Sequence, residues 1–156
     1  MDGGEAENSY TSKLVTLTEG EWAGWSWYPG GDPFEDLAGP FYFRIGDDAR
    51  PVCAFRAEMK HLNGGLFMHG GCLMTFADFS LFVIARDALA DSRSDTATFN
   101  GEFVGSAHEG DLIECTGEVV KAGRSMVFVR GIIATGGEPL MSFSAVLKKT
   151  RPRAAA

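Results

Sequence analysis

Between His61 and Ala85 the chain reads HLNGGLFMHGGCLMTFADFSLFVIA, which places an Asn, a His, a glycine pair and a single Asp among apolar residues. Asp78 stands out. A carboxylate in the middle of a buried apolar helix costs about a few kcal/mol unless it is partnered. It therefore either fixes a neighbouring loop by hydrogen bonding or serves as a general base or nucleophile whose pKa burial has raised. Gly70 and Gly71 fall where that helix should begin. A helix N-terminus has free N–H donors and glycine puts no side chain in front of them, so the spot suits a negatively charged oxygen. A Gly-Gly turn without further role has the same appearance. His69 either belongs to this site or simply hydrogen-bonds a carbonyl beside the turn, while His61 and His108 read as loop or surface residues. No metal site is expected, because Asp78 and His69 lack a third ligand at suitable spacing and Cys53, Cys72 and Cys115 are scattered.

The rise of a helix connects these residues to assembly. If the helix starts at Gly70, Asp78 lies about 12 Å further along it, at roughly 1.5 Å per residue. An attacking group and an oxyanion donor must each come within about 3 Å of one carbonyl. Either Gly70 and Asp78 do not cooperate, or Gly70 of one subunit meets Asp78 of another in a symmetric dimer.

The elements that would carry these residues are readable from pattern. FYFRI (41–45) and VCAFRAEM (52–59), separated by GDDARP, predict an antiparallel strand pair. From Gly70 to about Leu89 nearly every residue is apolar, which predicts a helix buried on all sides. After the polar loop DSRSD come TATFNGEFV, DLIECTGEVVK, SMVFVRGIIAT and PLMSFSAVLKK, four further strands. Hairpin turns are expected at Ala122-Gly123-Arg124 and Gly136-Gly137-Glu138, where φ > 0 is tolerated. A sheet wrapped around one apolar helix is the economical burial, an α+β fold. The segment 19–39, with Trp22, Trp25, Trp27 and Tyr28 between Gly and Pro breakers, predicts a short helix or irregular cover rather than a strand pair, packed over a core edge or serving as a lid on a pocket.

Composition bounds the function. The chain has 156 residues, 45% of them hydrophobic, enough for one domain with a real core. The single domain is expected to span 1–156, with 1–12 and 150–156 as flexible tails. A net charge of −7 and a pI near 4.9 disfavour nucleic-acid or anionic-membrane partners, which need a broad positive field. Three cysteines without a C-x-x-C pair read as reduced, buried thiols. With neither a secretory signal nor a transmembrane run in sight, a soluble, cytoplasmic protein is expected.

Asn63, His69, Gly70, Gly71 and Asp78 are spaced as Asn, five residues, His-Gly-Gly, then Asp seven positions beyond the second Gly. This pattern resembles the signature of hotdog-fold acyl-CoA thioesterases of the PaaI-like, phenylacetate-pathway type. The likeness runs to about Lys149, roughly two-thirds of the chain, and takes in a GxxxxxGR-like run ending at Gly123-Arg124. The resemblance implies a curved antiparallel sheet around the long helix, dimerised into a continuous sheet, with dimer or dimer of dimers left open. It implies that the Gly70 N–H polarises the thioester carbonyl, that Asn63 and His69 shape that side, and that Asp78 of the partner attacks or activates water. Thr96 takes the position of a Ser or Thr that orients water. No cofactor is required, coenzyme A being part of the substrate. Arg124, Arg56, Lys148 and Lys149 are candidates for its phosphates, Gly71 is a further substrate-binding candidate, and Phe41, Phe67, Met68, Phe79 and Phe82 either line an apolar or aryl pocket or simply pack the core.

Two other functions compete. A hotdog dehydratase or hydratase works by proton transfer at carbon, but the Pro-rich loop of those enzymes is missing here and His-Gly-Gly is present. A non-catalytic acyl-CoA sensor would keep the fold without turnover, and the intact Asp78 argues against it.

Overall fold

The computed structural model describes residues 13–90 and 92–150; of the tails expected at 1–12 and 150–156, residues 1–12 and 151–156 lie outside the described residues, whereas Thr150 closes the last strand. Eight strands form one antiparallel sheet: β1 (Val15–Thr16), β2 (Ser26–Trp27), β3 (Tyr42–Ile45), β4 (Pro51–Arg56), β5 (Arg93–Phe103), β6 (Leu112–Ala122), β7 (Met126–Thr135) and β8 (Glu138–Thr150). Their spatial order is β1-β2-β3-β4-β6-β7-β8-β5, which leaves β5 as a long edge strand. Two helices complete the fold, α1 (Pro33–Ala38) and α2 (Gly70–Ile84). The sheet curls around α2, as the α+β hotdog expectation required.

The wrapping follows from the alternation of the strands. Along β8, Met141, Phe143, Ala145 and Leu147 point inward and are buried, and Val127, Val129 and Ile133 do the same on β7. They meet Leu73, Phe76, Ala77, Leu81 and Ile84 of α2 in one continuous core with Phe41, Phe55 and Ile113. Each large side chain fully buried there contributes roughly 1.5–3 kcal/mol. Two glycines let the sheet close around the helix. A Cβ at Gly117 would lie 2.7 Å from Ile84 Cδ1, and one at Gly131 would lie 2.5 Å from the Phe143 ring, which therefore packs against bare backbone.

Several expectations need correction. The segment 19–39 does contain a short helix, yet Ser26–Trp27 also forms a strand between Val15–Thr16 and Phe43, because the edge of β3 offers backbone groups to pair. Its aromatics mostly cover that edge. Trp22 stacks on Tyr42 at 4.2 Å, whereas Tyr28, stacked on Phe43, and Phe34 each line a cleft and Trp27 a small cavity beside Glu35. Strand β4 stops at Arg56 and a 3-10 turn, Met59–His61, follows. Helix α2 ends at Ile84 and gives way to a 3-10 turn, Arg86–Leu89. Arg93–Asp95 of the expected polar loop already belong to β5. Gly136 and Gly137 adopt positive φ as the hairpin demands, whereas Gly123 does not.

The largest correction concerns α2, which is not buried on all sides. Gly71, Met74, Thr75, Asp78 and Phe82 form a stripe along one face that the sheet leaves exposed or half-buried. Met74 alone is 45% exposed. The residues recur at i, i+3 and i+4, one face of a helix.

Candidate active site

Asp78 sits in the middle of this stripe, half-buried rather than immersed in the core as its apolar neighbours suggested. Its partner comes from the edge strand: Thr96 Oγ1 donates a 2.6 Å hydrogen bond to Asp78 Oδ1. Strand geometry explains how. Thr96 lies opposite Leu147, and the register then shifts before Thr98 meets Val146. The bulge at Ala97 changes the phase of the strand, so that Thr96 and Phe99 both face inward although three positions apart. Thr96 is thereby aimed at the helix.

At the other end of the stripe, His69 caps α2. Its Nδ1 accepts the Gly71 N–H at 2.8 Å, while the Cys72 N–H goes to the His69 carbonyl. Gly71 is therefore no free donor, a correction to the expectation that both glycines would offer theirs. Among the described residues nothing accepts the Gly70 N–H. Asn63 holds the loop that delivers this end of the helix. Its Oδ1 accepts from Gly65 N at 2.8 Å and Phe67 N at 3.2 Å, and its main chain pairs with Phe67. Asn63 thus shapes the approach to Gly70 from a distance. Gly70 and Asp78 belong to one continuous helix, about 12 Å apart by its rise, so a single chain does not bring them together.

Three concavities border the stripe. A cleft of about 690 Å³ is lined by Asp78, Thr96, Phe79, Phe82, Tyr28, Glu35 and Arg86, among others. A second, of about 380 Å³, reaches Asp78 from the other side past Met74, Thr75, Phe34 and again Glu35. A third, of about 450 Å³, opens at the helix start beside His69, Gly71, Thr75 and Lys60. A concavity of about 700 Å³ on the outer sheet face, between Arg50, Glu118 and Arg130, contains none of these residues.

The remaining candidates divide. Phe82 lines the Asp78 cleft and Phe79 does so from within the core. Met68 is core, only 6% exposed, because its side chain faces inward just before the helix turn, and it lines no cleft. Phe67 is exposed beside His108, at the Gly70 end. Arg56 is tied to Glu21 and to the Gly110 carbonyl. Arg124, Lys148 and Lys149 make no ion pair among the described residues. They cluster at one end of the sheet: Thr96, Leu147 and Val127 lie side by side across β5, β8 and β7, and the Arg124 turn adjoins them.

Sequence reasoning missed Glu35, Arg86 and His61. Glu35 carries no motif and lies far from Asp78 in the chain, so only packing of α1 on α2 brings the two together. Its carboxyl is pushed up to about 7, chiefly by burial and then by the charges of Asp32, Asp78 and Asp36. His61, expected at the surface, is buried because both ring nitrogens are satisfied: Nδ1 accepts from Glu58 N at 2.9 Å, and Nε2 lies 2.7 Å from the Ala38 carbonyl. Burial holds its pKa below the usual value. The thiols are inert, since burial drives Cys53 well above its ordinary value, Cys115 to about 12 and Cys72 to about 11. Among the described residues no three His, Cys, Asp or Glu side chains converge on a metal position, and no helix is long and apolar enough to cross a membrane.

A profile of the thioesterase superfamily matches residues 65–142, from the loop before α2 into β8. The chain belongs to the thioesterase superfamily. Solved structures of similar fold agree with that membership. The smu.793 protein of Streptococcus mutans, bound to acetyl-CoA, is 19% identical, with a TM-score of 0.60 over 65% of this chain and 82% of that one. A hypothetical thioesterase from Streptococcus pneumoniae, solved with coenzyme A, is 19% identical with a TM-score of 0.66 over 78% and 95% of the two chains. The PaaI protein of the Escherichia coli phenylacetic acid degradation operon is 17% identical with a TM-score of 0.60, over 65% and 73%. No curated protein matches the sequence significantly. The expected likeness to hotdog thioesterases is borne out by the superfamily match, PaaI proteins share the fold, and Gly70 and Asp78 fall on the matched segment.

Proposed function

We propose that this member of the thioesterase superfamily hydrolyses an acyl-coenzyme A thioester to a free acid and coenzyme A, at sites shared between two subunits. The observation that carries the reading is Asp78, held by Thr96 on the exposed stripe of a helix whose own first N–H, at Gly70, has no acceptor. Because a carbonyl cannot touch both in one chain, the Gly70 of a partner completes the site. The unpaired edge of β5 and the apolar stripe with Met74 and Phe82 supply a face for that partner, since eleven residues of open edge beside exposed Phe103 are a surface that a second copy would cover.

In this arrangement the Gly70 N–H stabilises the oxyanion as the thioester carbonyl is attacked, with the dipole of α2 behind it. His69 keeps the first turn in shape by accepting from Gly71. Asp78 acts as nucleophile or as the base that takes a proton from water, and Thr96 fixes its orientation by holding Oδ1. A thioester is activated enough for one carboxylate and one oxyanion donor to suffice. Phe79 and Phe82 would contact the acyl group from the Asp78 side and Phe67 from the Gly70 side, while Arg124, Lys148 and Lys149 offer charge for the phosphates.

Release of free thiol from short, medium, long and aromatic acyl-CoAs tests the proposal, with wild type beside Asp78→Asn and Asp78→Ala. Both substitutions should reduce turnover on the order of a hundredfold or more, as expected for a principal proton-transfer group. Binding of acyl-CoA without turnover in wild type would point instead to a sensor, and no binding at all would remove the assignment.

A further inference from the structure

We propose that Glu35 is a second catalytic carboxyl of this site, the acid that protonates the coenzyme A sulfur as it departs. The inference rests on the thioesterase reading and extends it. Glu35 lines both clefts that reach Asp78, one on each side of the α2 stripe, and no other carboxyl on the cover segment reaches Asp78 from both sides except Asp32, which is committed as a helix cap. Among the described residues its own carboxyl makes no hydrogen bond, so the group is available to a bound molecule.

Helix α1 is capped at its start and bonded to the rest of the fold at its end. Asp32 Oδ1 accepts from Phe34 N at 3.0 Å and Glu35 N at 3.1 Å, and Pro33 begins the helix. At the other end His61 meets the Ala38 carbonyl and Lys60 donates to that of Gly39. Glu35 is thus presented by a strapped element, not by a loose loop.

The groups around Glu35 favour its acid form. Asp32, the N-cap of α1, and Asp36 flank it and Asp78 faces it from α2, while Asp95 of β5, Arg86 and Tyr28 complete the larger cleft. Burial among those carboxylates keeps a proton on Glu35 up to about pH 7. A carboxyl that keeps its proton suits the acid role while Asp78 serves as the base. Asp78 takes the proton of the attacking water as its oxygen bonds to the carbonyl carbon. When the C–S bond breaks, its electron pair goes to sulfur, and Glu35 supplies the proton that makes the thiol. Transfer of the first proton from Asp78 to the Glu35 carboxylate restores both groups, so one water and one thioester give one acid and one thiol.

The test is the pH dependence of kcat between pH 5 and 9 on the best acyl-CoA, for wild type, Glu35→Gln and Glu35→Asp. Wild type should lose activity above about pH 7 as Glu35 ionises. Glu35→Gln should be slower by roughly tenfold or more near pH 6, at or below the low end for proton-transfer groups because a thiolate leaves readily, and its alkaline limb should vanish. Glu35→Asp, which keeps the carboxyl, should keep a limb and part of the rate. A Glu35→Gln enzyme with wild-type rate and an unchanged limb, beside an inactive Asp78→Asn, overturns the role of Glu35 and leaves the thioesterase reading standing. A wild type that releases no thiol overturns both.

Discussion

At the scale of single residues, the chemistry depends on how Asp78 is held. The 2.6 Å bond from Thr96 restrains one carboxylate oxygen and leaves the other for substrate or water. Thr96→Val removes that bond at nearly constant volume. A hydrogen bond to a charged group contributes roughly 1.5–3 kcal/mol, so kcat should fall by about tenfold or more while KM changes little, measured by steady-state thiol release. His69 tests the opposite end. His69→Ala deletes the cap on Gly71 and should cost about 1 kcal/mol, lowering the melting temperature by about 3 °C in a chain of this size. Asn63, His69, Gly70 and Asp78 stand out as candidates from types and spacing, since the helix start and the lone carboxylate announce themselves locally, whereas Thr96 was a candidate only through the family resemblance. The half-exposed state of Asp78 was not, because nothing in the apolar run says which face the sheet will leave uncovered. Glu35 and Arg86 were invisible for a similar reason: their place in the cleft is made by tertiary packing alone.

At the scale of elements, two features set the site: the curl of the sheet and the strapped helix α1. Gly131 permits the curl by leaving room for the Phe143 ring. Gly131→Ala would force a Cβ against that buried ring and the Thr116 carbonyl, and overpacking of this kind costs about 1–3 kcal/mol, to be read as a loss of roughly 3–10 °C in melting temperature. The pH response of α1 carries a definite sign. Glu35 is raised from its ordinary 4.5 to about 7, so the folded state holds its proton more tightly than the unfolded chain. The stability it contributes is complete below about pH 4.5 and is lost as pH rises through about 7. Glu35→Gln removes that dependence and should raise the melting temperature at pH 8 by about 3 °C, taking the effect as about 1 kcal/mol after solvent screening. The long strands and α2 were readable because alternation and an unbroken apolar run persist over ten or more residues. The two-residue strands β1 and β2 were not, since pairing that short leaves no periodicity, and the glycine and tryptophan content of 19–39 speaks only of irregular backbone.

At the scale of the whole molecule, everything depends on whether two copies build one site. Asp78 lies on the exposed stripe of α2, about 12 Å along the helix from Gly70 of its own chain, and the proposed shared site needs a second copy to cover that stripe and the open edge of β5. Met74→Lys places a charge in the centre of that stripe and should shift the protein from dimer or larger toward monomer in sedimentation, with loss of thiol release. The most direct measurement is complementation. Gly70→Pro removes the N–H at the first position of α2, where proline suits the backbone, and requires the exposed Phe103 ring, 3.1 Å from the new Cβ, to give slightly. It should be inactive alone, as should Asp78→Asn. Co-expressed in equal amounts, the two should regain about a quarter of wild-type activity, because half the dimers are mixed and each mixed dimer has one of its two sites intact. A mixture as inactive as its components, although mixed dimers are isolated, would contradict a site shared between subunits.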